Sequence, residues 1–428
     1  MRLTTVTRMT LPPGRLSSFV VRTGETPGRR LPVSFDQRRH VGEGQRPGSW
    51  MAVSFRLPVG VEREQLASAW MRVIARHGTF RTAFRPGDDG PALHEVDVES
   101  GAWTQHPVAP GRTAREVVRD VFDEACAPYQ APSYRLCLLE PHDETEGGVV
   151  VIGADHSHVD MWSWHVVIRD LLAAIDDPDV DGEPAAPFAE HTDLLERMPP
   201  APSHVSERWE AILAAEAGAM PLFPLPLGDV SSPRRAVVEV RDVLDSAELR
   251  RFDAAAAALS VRAIALAMSV LTRVTRSLAD APLRAVFPVH SRHDHRWHDA
   301  VGWFITNAVI ESDDDDPAAC AASVKEAMAL GSYPLAPILA PYGGMPVRPG
   351  MFALSWLDVR RMTMPTDPEL EIQHVSAAID VDGVMIWFTA TRNGLQLRSR
   401  YPDTPEARAN VGAWLDALEA GLEDAAAR

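Results

Sequence analysis

The sequence is poor in cysteine. Cys126, Cys137 and Cys320 are all that its 428 residues contain, too few for a disulfide framework in so long a chain and in keeping with a reducing compartment. None sits in a recognisable nucleophile motif, so they read as small apolar packing residues. Long hydrophobic runs are missing too: no stretch approaches the ~20 apolar residues that span a bilayer. The opening Met1-Arg-Leu-Thr-Thr-Val-Thr-Arg lacks the continuous apolar segment of a signal peptide. Positive charge is in deficit. A formal net charge of −17 argues against non-specific attraction to nucleic acid or anionic lipid. These absences lead us to expect a soluble, cytoplasmic protein with no nucleic-acid partner.

What is present points to a folded protein of more than one domain. A hydrophobic fraction of 46% supplies a core, and the length suits two domains of roughly 200 residues each. Val61 to His77 reads as an amphipathic helix with Leu66, Trp70, Val73 and Ile74 along one face. Gly147 to Ala154 is a short apolar run bounded by glycines, hence a buried strand, and Trp162 to Ile175 returns to helical spacing. A Pro-, Ala- and Asp-rich stretch from Asp176 to about Ser203, with a second Pro-rich piece at Pro221 to Pro226, is the candidate domain connection. We place the division at 1–180 and 181–428. Ser246 to Leu278 reads as two helices with Ser246 and Ser260 as N-caps, and Asp313 to Asp316 as a solvated loop. Arg284 to Val289, Val301 to Ile310 and Phe352 to Leu357 read as strands. Val384 to Thr391 and Leu395 to Tyr401 flank Asn393-Gly394, a strong hairpin signal. A last helix runs from Pro405 to about Ala425. The fold class is α/β (α+β).

The chemistry is concentrated in Val150-Val-Ile-Gly-Ala-Asp-His-Ser-His-Val-Asp160, followed by Met161-Trp-Ser-Trp-His165. Here a buried strand runs into a polar turn and the turn into a helix, so His156 and Asp160 leave the sheet at a point held by rigid elements. A neutral imidazole suits the removal of a proton from a hydroxyl or amine near neutral pH. A satisfied structural histidine gives the same pattern. A metal reading of His156, His158, Asp160 and His165 is weak on ligand spacing, as is one of His290, His293, His295 and His298. We expect no metal.

At these residues the chain resembles a known family. His156-Ser-His-Val-Asp160 with Met161-Trp-Ser is similar to the HHxxxDG motif of condensation domains and polyketide-associated acyltransferases. Leu31-Pro-Val-Ser-Phe-Asp-Gln resembles their "LPxSxxQ" segment and Arg76-His77-Gly-Thr-Phe-Arg81-Thr82-Ala-Phe84 their "RHxxLRTxF" segment. His290-Ser-Arg292 through Val301-Gly-Trp-Phe-Ile-Thr-Asn307 resembles "GR…VGxFxN". Phe352 to Arg360 and Arg400-Tyr-Pro-Asp-Thr look closest to the polyketide-associated acyltransferases. The matches follow the family's order over nearly the whole chain.

The resemblance implies two chloramphenicol-acetyltransferase-like domains arranged as a V around a central tunnel. It implies an acyltransferase of lipid or secondary metabolism. No cofactor is required: acyl-CoA or a phosphopantetheinyl thioester is the co-substrate, a small molecule or glycolipid the acceptor, and an acyl or peptidyl carrier protein a candidate partner. His156 becomes the general base, and Asp160 a structural residue paired with Arg292. Asp155, Met161, Trp162, Ser163, Asn307 and Ser355 are site-lining candidates, with Ser163, Asn307 and Ser355 also considered for the oxyanion. Two positions depart from the motif: Asp155 replaces its first histidine and Met161 its glycine, where a bulky side chain would narrow the tunnel. Two alternatives stay open, a free-standing peptide-synthetase condensation enzyme forming an amide and a degenerate binding module without catalysis. Because both donor types are acidic, a local arginine cluster must recruit them against the overall field. Its candidates are Arg29, Arg30, Arg38, Arg39, Arg234 and Arg235.

Overall fold

A computed structural model describes residues 1–143, 145–179, 182–362 and 367–428. The chain forms two compact units, each built on a seven-stranded sheet. The first comprises Met1–Arg197, Arg292–Phe304 and Met364–Ala378; the second comprises Met198–Ser291, Ile305–Thr363 and Ile379–Arg428.

In the first unit the strand order is Arg2–Thr5, Gln373–Ser376, Trp50–Arg56, Val149–Asp155, Tyr134–Pro141, Gly14–Thr23 and Val98–His106. Val149–Asp155 is central, antiparallel to both neighbours, and every one of its residues is buried. That accounts for its unbroken apolar sequence, since neither face meets water. Helices Arg63–Arg76 and Met161–Asp176 cover the sheet, with Leu66, Trp70, Val73, Trp164, Val167 and Leu171 in one core with Val150 and Ile152.

The division expected at residue 180 differs from these units. Helix Phe188–Glu196 stays with the first unit because Phe188 and His191 pack edge-on against Phe304. Arg292–Phe304 joins it through Asp160, and Gln373–Ser376 returns as a strand between Arg2–Thr5 and Trp50–Arg56. The Pro-rich stretch read as a connection thus contains helix Phe188–Glu196, and it ends where another, Ser203–Ala215, begins. Composition marked the chain's irregularity there, while ring packing fixed which unit it joins.

In the second unit the order is Ile305–Ser312, Leu283–His290, Phe352–Asp358, Val384–Thr391, Gly394–Pro402, Arg234–Asp245 and Asp380–Val381. The Asn393-Gly394 hairpin forms as expected, Gly394 taking φ +140°. Helices Ser246–Ala258, Ala263–Ala279 and Pro405–Ala427 pack together. Asp245, not Ser246, caps the first, accepting from the Ala247 and Glu248 N–H groups while the Glu248 carboxylate accepts from the Asp245 N–H. Ser260 is no cap: it takes the left-handed turn at φ 58°, and Arg262 precedes the second helix. Val301 to Phe304 is not strand; extended pairing begins at Ile305. Asp316 caps helix Pro317–Leu330 rather than lying free in a loop. Among the described residues, no single helix is long and apolar enough to cross a membrane.

Candidate active site

The site is built where strand Val149–Asp155 ends. Asp155, the last strand residue, donates its N–H to the Ser133 carbonyl, and the next residue, His156, donates its own to Ser49, 3.0 Å away. These two bonds fix the backbone under the imidazole. The ring is half-buried and lies against the Trp303 indole, centroids 4.3 Å apart and planes 30° from parallel. Nδ1 is buried with no hydrogen-bond partner beyond its own residue. Burial pushes the pKa of His156 below the ordinary 6.5, so the neutral imidazole dominates at neutral pH.

Asp155 does not leave a gap where the motif has histidine. Its Oδ2 lies 3.1 Å from Nε2 of His40, and Oδ1 accepts from the Ser157 amide at 2.9 Å and from the Ser157 hydroxyl. Burial alone would raise this carboxyl, yet the bonds from His40, Ser157 and Ser49 hold it down at about 2. Arg46 donates to His40 Nδ1 at 3.1 Å; guanidinium can only donate, so Nε2 carries the proton toward Asp155. The His40 ring also meets Trp303 edge-on at 5.4 Å. His40 and Trp303 thus frame His156, and sequence reasoning singled out neither. Trp303 had a signal in the matched Val301-to-Asn307 segment. His40 had only its place three residues after Gln37.

Asp160 is committed elsewhere. It is the N-cap of helix Met161–Asp176, accepting from the Ser163 N–H at 2.7 Å. The same carboxylate accepts from Arg292 at 3.0 and 3.2 Å and from the Phe304 N–H at 3.0 Å. Arg292, 1% exposed, also donates to the carbonyls of Trp297 and Ala300 and to Ser163 Oγ, and its guanidinium lies 3.9 Å from the Phe304 ring centroid. The structure therefore brings Asp160 and Arg292 together inside the first unit. Gly302 closes the knot: Ser163 Oγ lies 2.8 Å from its carbonyl and 3.1 Å from its N–H. A Cβ there would meet Phe188 at 2.5 Å.

The other candidates fall into place around this knot. Ser163 is fully buried with its hydroxyl taken up by Asp160, Gly302 and Arg292, so it has no free donor for an oxyanion. Met161 is the first helical residue and has no positive φ, so no glycine is needed for the backbone. Trp162 donates from Nε1 to the His298 carbonyl at 3.0 Å. His158 turns away from His156, its Nδ1 3.2 Å from Ser133 Oγ and its ring against Phe84. His165 packs on His374. The four residues of the metal reading thus diverge, and among the described residues no three His, Cys, Asp or Glu groups converge. Asn307 and Ser355 belong to strands Ile305–Ser312 and Phe352–Asp358 of the second unit. The cysteines are buried and their thiols shifted upward by burial, Cys137 to about 12, far from a reactive thiolate.

The matched segments have structural reasons. Ser34 and Gln37 form a capping box, and the Gln37 amide reaches 2.9 Å to the Ser157 carbonyl beside His156. His77 pairs with Asp170 at 2.8 Å, and Thr79 Oγ1 donates to the Val301 carbonyl at 2.6 Å. Several arginines considered for donor recruitment are already engaged: Arg29 with Glu95, Arg39 with Asp36, Arg234 with Asp229, and Arg38 with the Asp89 carbonyl.

This architecture has counterparts among solved structures. No known family profile matches the chain. Among solved structures, a PapA2 acyl transferase superposes with a TM-score of 0.84 at 19% identity, covering 100% of both chains. The first condensation domain of the calcium-dependent antibiotic synthetase superposes at 0.70 and 12% identity, covering 94% of this chain and 97% of that one. In sequence the chain is 22% identical over 372 residues to the acyltransferase PapA3 of Mycobacterium tuberculosis (strain CDC 1551 / Oshkosh), covering 81% of this chain and 77% of that protein. It is 25% identical over 225 residues to the trehalose-2-sulfate acyltransferase PapA2 of that strain, covering 50% of this chain and 48% of that protein. The chain thus has the fold of a PapA2 acyl transferase and of peptide-synthetase condensation domains, and over most of its length it is similar in sequence to the acyltransferase PapA3.

Proposed function

We propose that the chain moves an acyl group from a thioester, acyl-CoA or a phosphopantetheinyl carrier, onto a hydroxyl, with His156 as general base. The observation that carries this reading is the state of that imidazole: half-buried, on a backbone N–H anchored to the Ser49 carbonyl, packed on Trp303 and kept neutral by burial. With Nδ1 sealed, Nε2 is the nitrogen left to work. It takes the acceptor's proton as the acceptor oxygen attacks the thioester carbon; the tetrahedral oxyanion then collapses, the C–S bond breaks, and the imidazolium returns the proton to the thiolate. Asp160 and Arg292 act at a distance, holding the start of the helix and the Arg292–Phe304 segment that carries Trp303. His40, through Asp155 and Trp303, positions the base without touching substrate.

The name of one sequence relative, a trehalose-2-sulfate acyltransferase, favours a hydroxyl acceptor of the sugar class. The fold of peptide-synthetase condensation domains keeps amide formation as the second reading. Transfer from a panel of acyl thioesters to hydroxyl and amine acceptors separates the two. His156→Ala should lower the rate by ~10²–10⁴-fold while the melting temperature stays within a few degrees. Near-full turnover in that variant would remove His156 from the mechanism. On acidification, kcat/KM should hold through the ordinary histidine range and fall only below pH 6.5, because burial lowers the pKa.

A further inference from the structure

One face of the second unit's sheet carries charge that the proposed chemistry does not use. Strand register sets Trp387 opposite Arg398 and Met385 opposite Arg400. It also sets Val240 opposite Arg398, Val238 opposite Arg400, and Ser355 beside Trp387. Both guanidiniums approach the Trp387 indole, at 4.9 Å for Arg398 and 5.3 Å for Arg400. The intervening Ser399 and Tyr401 point to the other face, where Tyr401 donates to Glu239 and Arg241 pairs with Asp416 and Glu419 of the last helix.

Arg400 is poorly answered. Its Nη2 meets only the Met385 sulfur at 2.9 Å, and its Nε is buried without a hydrogen bond. Among the described residues no carboxylate forms an ion pair with it, and burial drags its pKa down to about 10. Burial, then Arg400 itself, lowers Arg398 to about 9. Asp242, in the same alternating row as Val238 and Val240, is exposed and bonded to Gln396. Thr389, in the next row, is 1% exposed with an unbonded hydroxyl. A half-buried cation without a counter-ion is costly unless something pairs with it, and two guanidiniums flanking one indole match the forked geometry of a tetrahedral or carboxylate oxyanion.

We propose that the face formed by Trp387, Arg398 and Arg400 binds an oxyanion, a phosphate, sulfate or carboxylate, carried by one of the two substrates. The indole stacks on the ligand's apolar part while the arginines grip its charge, and Thr389 and Ser355 supply neutral bonds. This assignment rests on the acyl-transfer reading for its substrate. The oxyanion is either the donor's pantetheine phosphate or a charged group on the acceptor.

Binding is tested first without turnover. Inorganic sulfate, titrated into the full chain against chloride at matched ionic strength, should raise the melting temperature saturably. Arg400→Gln should shift the half-saturating concentration at least tenfold, Arg400→Lys by less, and Arg112→Gln, at a surface pair with Asp120, not at all. Identical sulfate curves for wild type and Arg400→Gln overturn the site; should Arg400→Gln fold poorly, Arg400→Lys gives the same comparison. The source is then read from KM. A tenfold rise in Arg400→Gln confined to acyl-CoA, with acyl-pantetheine lacking the phosphate unaffected, assigns the donor. A rise confined to an anionic acceptor over its neutral analogue assigns the acceptor. A sulfate effect with neither KM changed overturns the link to substrate. Absence of any transfer by wild type would fault the acyl-transfer reading and leave the sulfate result standing.

Discussion

Arg292 in the first unit and Arg400 in the second are both withdrawn from water, yet they are treated in opposite ways. Arg292 meets the Asp160 carboxylate, two backbone carbonyls and the Ser163 hydroxyl, with Phe304 beneath its plane. Arg400 meets a thioether sulfur and lies over the Trp387 ring. An arginine surrounded by matching acceptors is a device for holding backbone segments together. One whose donors outnumber its acceptors is a device awaiting a partner. The same side chain therefore supports architecture in one unit and recognition in the other, and the difference lies in the neighbours that each strand or turn supplies.

The largest effect should come from breaking the satisfied member. Arg292→Leu leaves the Asp160 carboxylate buried and unpaired, and Asp160→Ala leaves the guanidinium so; each should cost about 3–5 kcal/mol. In a protein of this size that is on the order of 10 °C in melting temperature. Together the two changes should cost clearly less than their sum, because neither leaves a stranded charge for the other to worsen. Strict additivity across that double-mutant cycle would mean that the pair holds nothing together.

A second pair sharpens the contrast within the first unit. His165 and His374 pack with ring centroids 4.7 Å apart, and both nitrogens of each ring are buried and unbonded. Burial holds His374 at about 3 and His165 well below 6.5. The unfolded chain binds a proton at such a site near pH 6.5 and the folded one does not, so the unfolded state holds more protons across the window between 6.5 and about 3. Stability rises with pH there, is complete above 6.5, and is lost on acidification at up to about 1.4 kcal/mol per pH unit for each such group. Urea midpoints at pH 7 and pH 5 should therefore converge in His374→Leu relative to wild type. An unchanged pH gap would show that this ring carries no linkage.

How far these sites could be read from the sequence depended on what kind of contact made them. Asp160 and Arg292 were legible because each stands in a motif of fixed spacing. The strand before His156 was legible because a central strand must be apolar throughout. The frame of His156 was legible only in part: Asp155 precedes it in the motif, whereas His40 and Trp303 come from separate segments, and only the fold brings their rings against His156. Ser163 looked available because hydroxyls usually are, whereas Gly302, left without a side chain, lets the backbone close over it. Period-two alternation in Leu395 to Tyr401 already put Arg398 and Arg400 on one face. What it could not give was the row opposite, where Val238 stands beside Arg400 and an acid would have neutralised it.

That missing acid sets the smallest effect and the most direct contrast. Arg400→Leu removes a charge that no carboxylate answers among the described residues, and it leaves apolar bulk against Met385 and Trp387. The desolvation cost goes with the charge, so stability in chloride buffer should be unchanged or higher by about 1 kcal/mol. The same substitution at Arg292 is expected to be strongly destabilising, so the two arginines should move in opposite directions under one chemical change. Adding sulfate should narrow the gap between wild type and Arg400→Leu or reverse it, since only the wild type gains a bound anion and ligand binding stabilises the folded state. Equal losses for Arg292→Leu and Arg400→Leu in sulfate-free buffer would mean that both arginines are structural, and that the bonds each makes do not distinguish their roles.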